Sequence, residues 1–219
     1  FEKDEKKGII SISGKVISEA KYDDIGLFNN DLAFVINEDT LQYINGNGDI
    51  IISRGFKTYP NFELKGEFKN GAAVVSKKEK YGRINSKGEV ITPIEYDNLG
   101  LGKNYIPYKK KEAWGLINAA NKMLIPAKYE SIDLIDERFV VAGLNDSIGL
   151  LDLSGNNLLP FTFHAVEGLI GDYIIVEKDG HRGLYKKNKQ ILEIIYDQIR
   201  LFKDDFVTLV QDDQIIYYD

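Results

Sequence analysis

The chain has 219 residues, 43% hydrophobic and 28% charged, enough for one large domain or a repeat array burying roughly 70–75% of its unfolded surface. With 34 acids against 28 bases the formal net charge is -6, which argues against nucleic acid as partner, because phosphate binding needs a concentrated basic surface. There is no Cys, so disulfides and thiolate metal sites are excluded.

In chain order, the first strand signal is Gly8-Ile9-Ile10-Ser11-Ile12, followed by a turn at Gly14 and a second strand, Lys15-Val16-Ile17. Tyr22-Asp23 then opens a short third segment through Ile25, and Leu32-Ala33-Phe34-Val35 reads as an apolar closing strand. The pattern then recurs. The anchoring glycines Gly82, Gly115, Gly149 and Gly183 lie 33, 34 and 34 residues apart, with Gly8 and Gln42 in the same place upstream. A marker aromatic recurs at Tyr22, Tyr59, Tyr96, Tyr129, Phe163 and Tyr196, at separations of 37, 37, 33, 34 and 33. The turn position holds Gly14, Gly48, Gly88, Asn121, Gly155 and Asn188, the two residue types that tolerate positive φ in tight hairpins. The marker falls eight residues past the turn in five copies, and at eleven in the second, through an insertion. Pro93, Pro126 and Pro160, five past the turn, are expected to stop the second strand.

These spacings predict an all-β chain: six antiparallel β-meander repeats of about 34 residues at 7–40, 41–80, 81–113, 114–147, 148–181 and 182–213, with a partial copy at 214–219. They form one domain over 1–219. No window has convincing helical periodicity. A single meander cannot bury both its faces, so copies must stack. Two geometries fit: an open twisted array, or a six-bladed propeller-like ring. A first copy complete in itself favours the open array.

Tyr81-Gly82-Arg83-Ile84 and Trp114-Gly115-Leu116-Ile117, the turn glycine, Val-Ile, Pro, Tyr-acid and the closing Phe68-Lys69-Asn70-Gly71-Ala72-Ala73-Val74-Val75 together resemble the bacterial WG (KWG) repeat. Gln42 for Gly, and Phe163-His164 for Tyr-acid, depart from that pattern. The resemblance implies a β-repeat scaffold without general catalytic activity, varying in copy number and common in secreted or cell-envelope proteins. A predominance of Lys over Arg fits a bacterial source. Phe1 rather than Met opens the sequence, so an upstream segment is expected to have been removed or to lie beyond it.

The repeated Tyr-acid pairs could line a groove for sugars or cations. The simpler reading is aromatics packed between copies and acids bonded to turn amides. Asn45-Gly46-Asn47-Gly48-Asp49 lacks the distal Glu of a calcium loop and reads as the hairpin turn. His164 and His181 sit at non-equivalent points with no zinc spacing. No catalytic set can be assembled, and no metal or cofactor is implied. The insertion at 54–66, with Phe56, Tyr59 and Phe62, and the irregular stretch holding Tyr105 and Tyr108 break the rhythm. They are the binding candidates, for a protein or glycan partner through exposed aromatic faces. The sequence therefore points to a non-catalytic binding scaffold, with a structural spacer and a glycan-acting hydrolase as alternatives. Trp114, if buried between copies, should cost about 3–5 kcal/mol on truncation to Ala.

Overall fold

A computed structural model describes residues 1–29, 31–57, 66–135, 137–201, 207–212 and 214–218. Among them the chain is strand, turn and bend throughout, with no helix. Antiparallel sheets follow one another in chain order, and none closes on itself. Glu2–Lys3 pairs with Lys6–Ile10, and Gln214–Tyr218 pairs with Val207–Gln211, so the first and last strands belong to different sheets. The chain divides into two compact units, Phe1–Lys111 with Ile117–Lys122, and Glu112–Leu116 with Met123–Asp219.

The sheets are out of phase with the sequence repeats. A sheet begins just after one marker aromatic and ends on the next: Asn98–Leu99 to Met123–Tyr129, Ser131–Ile135 to Asn157–Phe163, and Ala165–Ile170 to Lys189–Tyr196. Each combines the third segment and closing strand of one copy with the opening and second strands of the next. The second and third such groups are joined through Lys57↔Ser76 into a seven-stranded sheet.

Hairpin turns between opening and second strands are built by the residue three before the turn glycine. Asn45 Oδ1 accepts from the backbone N–H of Asn47 and Asp49, Asn85 Oδ1 from Lys87 and Glu89, Asn118 Oδ1 from Ala120 and Lys122, and Asp152 Oδ1 from Ser154 and Asn156. These are Asx-turns, in which a side-chain oxygen collects amides the hairpin leaves unpaired. The fourth residue takes positive φ, for example +84° at Gly48 and +62° at Asn121. In the sixth copy the turn is shorter than the sequence suggests, and Lys187, not Asn188, carries the positive φ.

The second strands share one burial rhythm, exposed–half–buried–exposed–half–exposed–buried, over Val16–Tyr22, Val90–Tyr96, Met123–Tyr129 and Asn157–Phe163. They run through the prolines rather than stopping at them. The reason lies in the register. Arg83 pairs with Thr92 and Tyr81 with Tyr96, so four residues on the second strand face two on the opening strand. The same bulge recurs at Ile9↔Ser18 with Lys7↔Tyr22, Leu150↔Leu159 with Ile148↔Phe163, and Leu184↔Leu192 with Arg182↔Tyr196. Pro93 and Pro160 fall inside it, and both, like Pro126, are exposed and on edge strands, where no ladder bond is lost.

The bulge also accounts for the anchor glycine. A Cβ on Gly82 would lie 2.7 Å from the Thr92 carbonyl oxygen and 2.8 Å from Ile94 Cα, and one on Gly183 would lie 2.6 Å from Ile194 Cγ1. The bulged residue folds over the glycine and occupies the place of its side chain. In the second copy Gln42 stands there instead, and its Nε2 donates to Ser53 Oγ at 2.7 Å. That copy has Ser53-Arg54-Gly55 where the third, fourth and fifth copies have Pro followed by an apolar residue, and Gly55 takes φ +67°.

The core is a series of equivalent layers. Each takes the residue after the anchor, the residue four past the turn, the marker aromatic and two inward positions of the closing strand. Leu150, Leu159, Phe163, Ile174 and Val176 form one such cluster. Tyr43, Ile52, Phe56, Ala73 and Val75 belong to another, and Leu184, Leu192, Val207 and Leu209, with Tyr196 against them, to a third. The marker of the second copy is therefore Phe56, not Tyr59: Leu41 pairs with Phe56 as Tyr81 pairs with Tyr96. Phe56 stands eight residues past Gly48, the same spacing as in every other copy, and the insertion begins after it.

Trp114 is only half-buried, as are Tyr81 and Ile148 at the same position. The indole is not enclosed between copies, and Trp114→Ala is expected to cost about 1–2 kcal/mol, roughly half of full burial. Urea unfolding of the variant checks this; a loss above 3 kcal/mol would show a larger share of the ring at work.

Candidate functional site

The acids after the markers all do the same work. Asp97 Oδ2 accepts from the Lys111 backbone N–H at 2.7 Å, Glu130 Oε1 from Asn145 at 3.0 Å, and Asp197 Oδ2 from Asp212 at 2.9 Å. Asp23 Oδ2 takes the Glu38 N–H. In the fifth copy His164 Nδ1 substitutes for the acid and accepts from Asp179 N–H at 3.3 Å. Each donating residue is a non-glycine at positive φ, from 50° to 53°, in the tight turn that leads into the next copy. An L-residue is strained there, and a charge-assisted bond to its amide offsets that cost.

Lysines reinforce two of these acids. Lys80 Nζ bonds Asp97 Oδ1, and Lys6 Nζ bonds Asp23 Oδ1 at 2.6 Å. The Lys80 ammonium, then the Lys111 amide, hold the Asp97 carboxyl below its ordinary range, and Lys6 with the Glu38 amide does the same for Asp23. A depressed pKa contributes stability that is complete above the unfolded value near 4 and is lost as pH falls through the folded value. Asp97→Asn should therefore melt lower than wild type at neutral pH, and the gap should close on acidification below about pH 4. A gap that stays constant from pH 7 to 2 would refute the capping role.

The binding candidates fare differently from one another. Phe56 is 3% exposed and Tyr108 5% exposed; both are core side chains and neither offers a face to a ligand. Phe56 is driven inward by the marker register, and Tyr108 packs on Tyr96 with ring centroids 5.2 Å apart. Tyr105 is half-buried and reachable from solvent. Tyr59 and Phe62 lie outside the described residues. The structure thus does not assemble these aromatics into one exposed surface.

Instead it exposes a feature invisible in any single motif. The first position of the second strand is apolar and solvent-facing in three consecutive copies of one unit: Val16 at 44%, Ile50 at 49% and Val90 at 51%. In the same unit the turn of each copy rests on the second strand of the copy before. A Cβ on Gly48 would lie 3.1 Å from the Ile17 carbonyl oxygen, a Cβ on Gly88 3.0 Å from Ile52 Cγ2, and Asn121 Nδ2 donates to the Ile91 carbonyl at 2.8 Å. Column-by-column reading of the copies would have found the row.

The same reading finds a second anomaly. The residue after the anchor is Leu116, Leu150 or Leu184 in the last three copies, each buried, but Arg83 in the third. Arg83 is 4% exposed, and its partner across the ladder, Thr92, is 1% exposed. Arg83 Nε and Thr92 Oγ1 both lack a hydrogen-bond partner, and burial lowers the guanidinium pKa from its ordinary value. No group of three or more metal-ligating side chains occurs among the described residues.

No curated protein sequence matches the chain. Among solved structures, a eukaryotic initiation factor superposes over 82% of this chain and 57% of its own, at 10% identity and a TM-score of 0.45. The Pan2 WD40 domain of Neurospora crassa covers 90% and 74% at 14% identity and 0.38. PorZ, a surface component of the type-IX secretion system of Porphyromonas gingivalis, covers 97% and 32% at 13% and 0.36. The chain thus spans little more than half the initiation factor and about a third of PorZ. The WG containing repeat matches at residues 8–40, 81–112, 114–137 and 148–180, together more than half of the sequence. The two copies outside these matches are 41–80, where Gln42 replaces the anchor glycine, and 182–213, whose turn is the shortened one. With its anchor glycine, bulge and turn-capping acid repeated in register, the chain belongs to the WG containing repeat family.

Proposed function

We propose that the protein is a non-catalytic repeat scaffold that binds a partner, protein before glycan, along the row of exposed β-branched side chains Val16, Ile50 and Val90. The observation that carries this reading is the division of labour among repeated positions. Marker aromatics fill the core and marker acids cap turns in copy after copy, so neither set is free for a substrate. The row, by contrast, has no internal role that requires apolar side chains at 44–51% exposure. Exposed apolar groups at fixed spacing on a rigid β frame suit recognition of an extended partner surface.

The test is a binding comparison between wild type and a Val16→Ser, Ile50→Ser, Val90→Ser variant, against soluble and envelope lysate fractions and a polysaccharide panel. Saturable binding by wild type, lost in the variant with its melting unchanged, is the expected result. Binding that survives in the variant would move the contact elsewhere. No saturable partner at all would favour a spacer. Release of reducing ends from a polysaccharide would favour the hydrolase reading instead.

A further inference from the structure

The turn cap at the end of the fifth copy differs in chemistry from its equivalents. Asp23, Asp97, Glu130 and Asp197 hold the amides of their turns with carboxylate oxygens, which remain acceptors at any pH above about 4. His164 holds the Asp179 N–H with an imidazole nitrogen, Nδ1, at 3.3 Å. That nitrogen accepts only while it carries no proton; in the imidazolium both ring nitrogens are donors. The turn it caps, Asp179-Gly180, joins strand Tyr173–Lys178 to strand His181–Lys186 and takes φ +53° and +82°. Asp179 is thus an L-residue held in the left-handed region by a cap that one proton removes.

The surroundings of the ring suit a second state as well. Glu177 Oε1, on the strand before the turn, lies 3.8 Å from His164 Nδ1, and Asp179 Oδ1, in the turn itself, lies 3.9 Å from Nε2. Each is just beyond hydrogen-bond reach, and each becomes an acceptor for one N–H of the imidazolium. Glu177 Oε1 already takes the Gly180 N–H at 2.7 Å, so drawing it to the ring weakens a second turn contact. On the strand after the turn, the Arg182 guanidinium pairs with Glu167 at 2.8 Å and donates to the Gly180 and Asp197 carbonyls at 3.0 Å. His181 on that strand faces Asp197 at 3.9 Å. Arg182 therefore keeps the turn attached while its amide cap exchanges. We infer that the Asp179-Gly180 turn, between the fifth and sixth copies, is a pH-sensitive joint: His164 caps the Asp179 amide when neutral, and when protonated releases it and pairs with Glu177 and Asp179. Imidazoles change charge between about pH 8 and 5, a range in which the carboxylate-capped turns of the other copies keep their acceptors. This inference rests on the cap geometry and is separate from the partner-binding row.

The experiment is a heteronuclear NMR titration of the intact chain from about pH 8 to about pH 5. It reads the His164 ring shifts and, by solvent exchange corrected for its intrinsic pH dependence, the protection of the Asp179 amide. Wild type should lose about fivefold in Asp179 protection, the worth of one hydrogen bond, with the same midpoint as the His164 ring. His164→Asp should show no loss over that range; it is expected to fold, because aspartate fills the same position in three other copies. His181→Gln should keep the wild-type loss, so the assignment to His164 remains testable if His164→Asp does not fold. Constant Asp179 protection in wild type, a loss that persists in His164→Asp, or a loss that vanishes in His181→Gln would each overturn the joint.

Discussion

Gly82→Val is expected to cost about 3 kcal/mol or more of unfolding free energy, because overpacking here meets backbone rather than a side chain that can turn away. The valine Cβ would sit 2.7 Å from the Thr92 carbonyl oxygen and 2.8 Å from Ile94 Cα. The second strand would have to withdraw its bulge, and the bulge sets the position of Tyr96 in the core. Shortening Ile94 to Ala should recover only part of the loss, since the Thr92 carbonyl stays in place. The second copy shows how a larger residue is accommodated. Gln42 is tolerated beside Ser53-Arg54-Gly55, with Gly55 at φ +67°. Gly82→Gln alone should therefore behave like the valine variant, while adding Pro93→Ser, Ile94→Arg and Glu95→Gly should restore much of the stability. Equilibrium denaturation of the set decides it. A near-wild-type midpoint for Gly82→Val would mean that the bulge yields and the glycine is not needed for close approach.

Tyr43→Ala is expected to lose about 3–5 kcal/mol, the range for deleting a large ring from a closed core. Tyr43 is fully buried in the cluster with Phe34, Leu41, Ile52 and Phe56, and its ring lies 5.0 Å from Phe68. Its hydroxyl donates to the Gly66 carbonyl at 2.7 Å, and burial pushes its pKa far up. Tyr43→Phe separates the two contributions: keeping the ring but orphaning the Gly66 carbonyl should cost about 1–2 kcal/mol. If the phenylalanine variant is as weak as the alanine variant, the hydrogen bond rather than the ring organises this layer. If both are near wild type, the layer is not cooperative with the rest of its unit.

Much of this architecture was legible in the sequence because repetition removes ambiguity. Gly48 and Asn121 occupy equivalent turn positions, and only a positive φ explains that restricted choice. The acid after the marker was read as a turn ligand from its recurrence alone, and Asp97 and Glu130 perform that task. The NGNGD stretch was read as a hairpin, and Asn45 builds it. What sequence spacing obscured were features that depend on pairing across strands. Tyr59 continues the run of tyrosine markers in the sequence, whereas the register makes Phe56 the marker and buries it. A bulge leaves no trace in hydrophobic alternation, so Pro93 looks like a strand stop in sequence although the strand runs through it. Tyr108 looked exposed beside Pro107 and Tyr105, yet strand alternation from buried Ile106 turns it inward. A lone arginine such as Arg83 is ordinary in sequence until it is set beside the leucines at its equivalents, Leu116, Leu150 and Leu184.

The half-copy offset between sheet and sequence repeat separates the unit that is inherited from the unit that folds. A duplication or deletion of one 34-residue segment can begin at any phase of the motif and still leave the strand order within each sheet intact, because each sheet draws its halves from neighbouring copies. Cleavage is not so forgiving. A protease that cuts in the Lys111-Glu112 turn, at a sequence-repeat boundary, parts a sheet through its middle hairpin, whereas a cut at Glu130-Ser131 falls between one sheet and the next. Lineages of such arrays can thus grow by copying without regard to phase, but limited digestion should release fragments whose ends follow the marker aromatics.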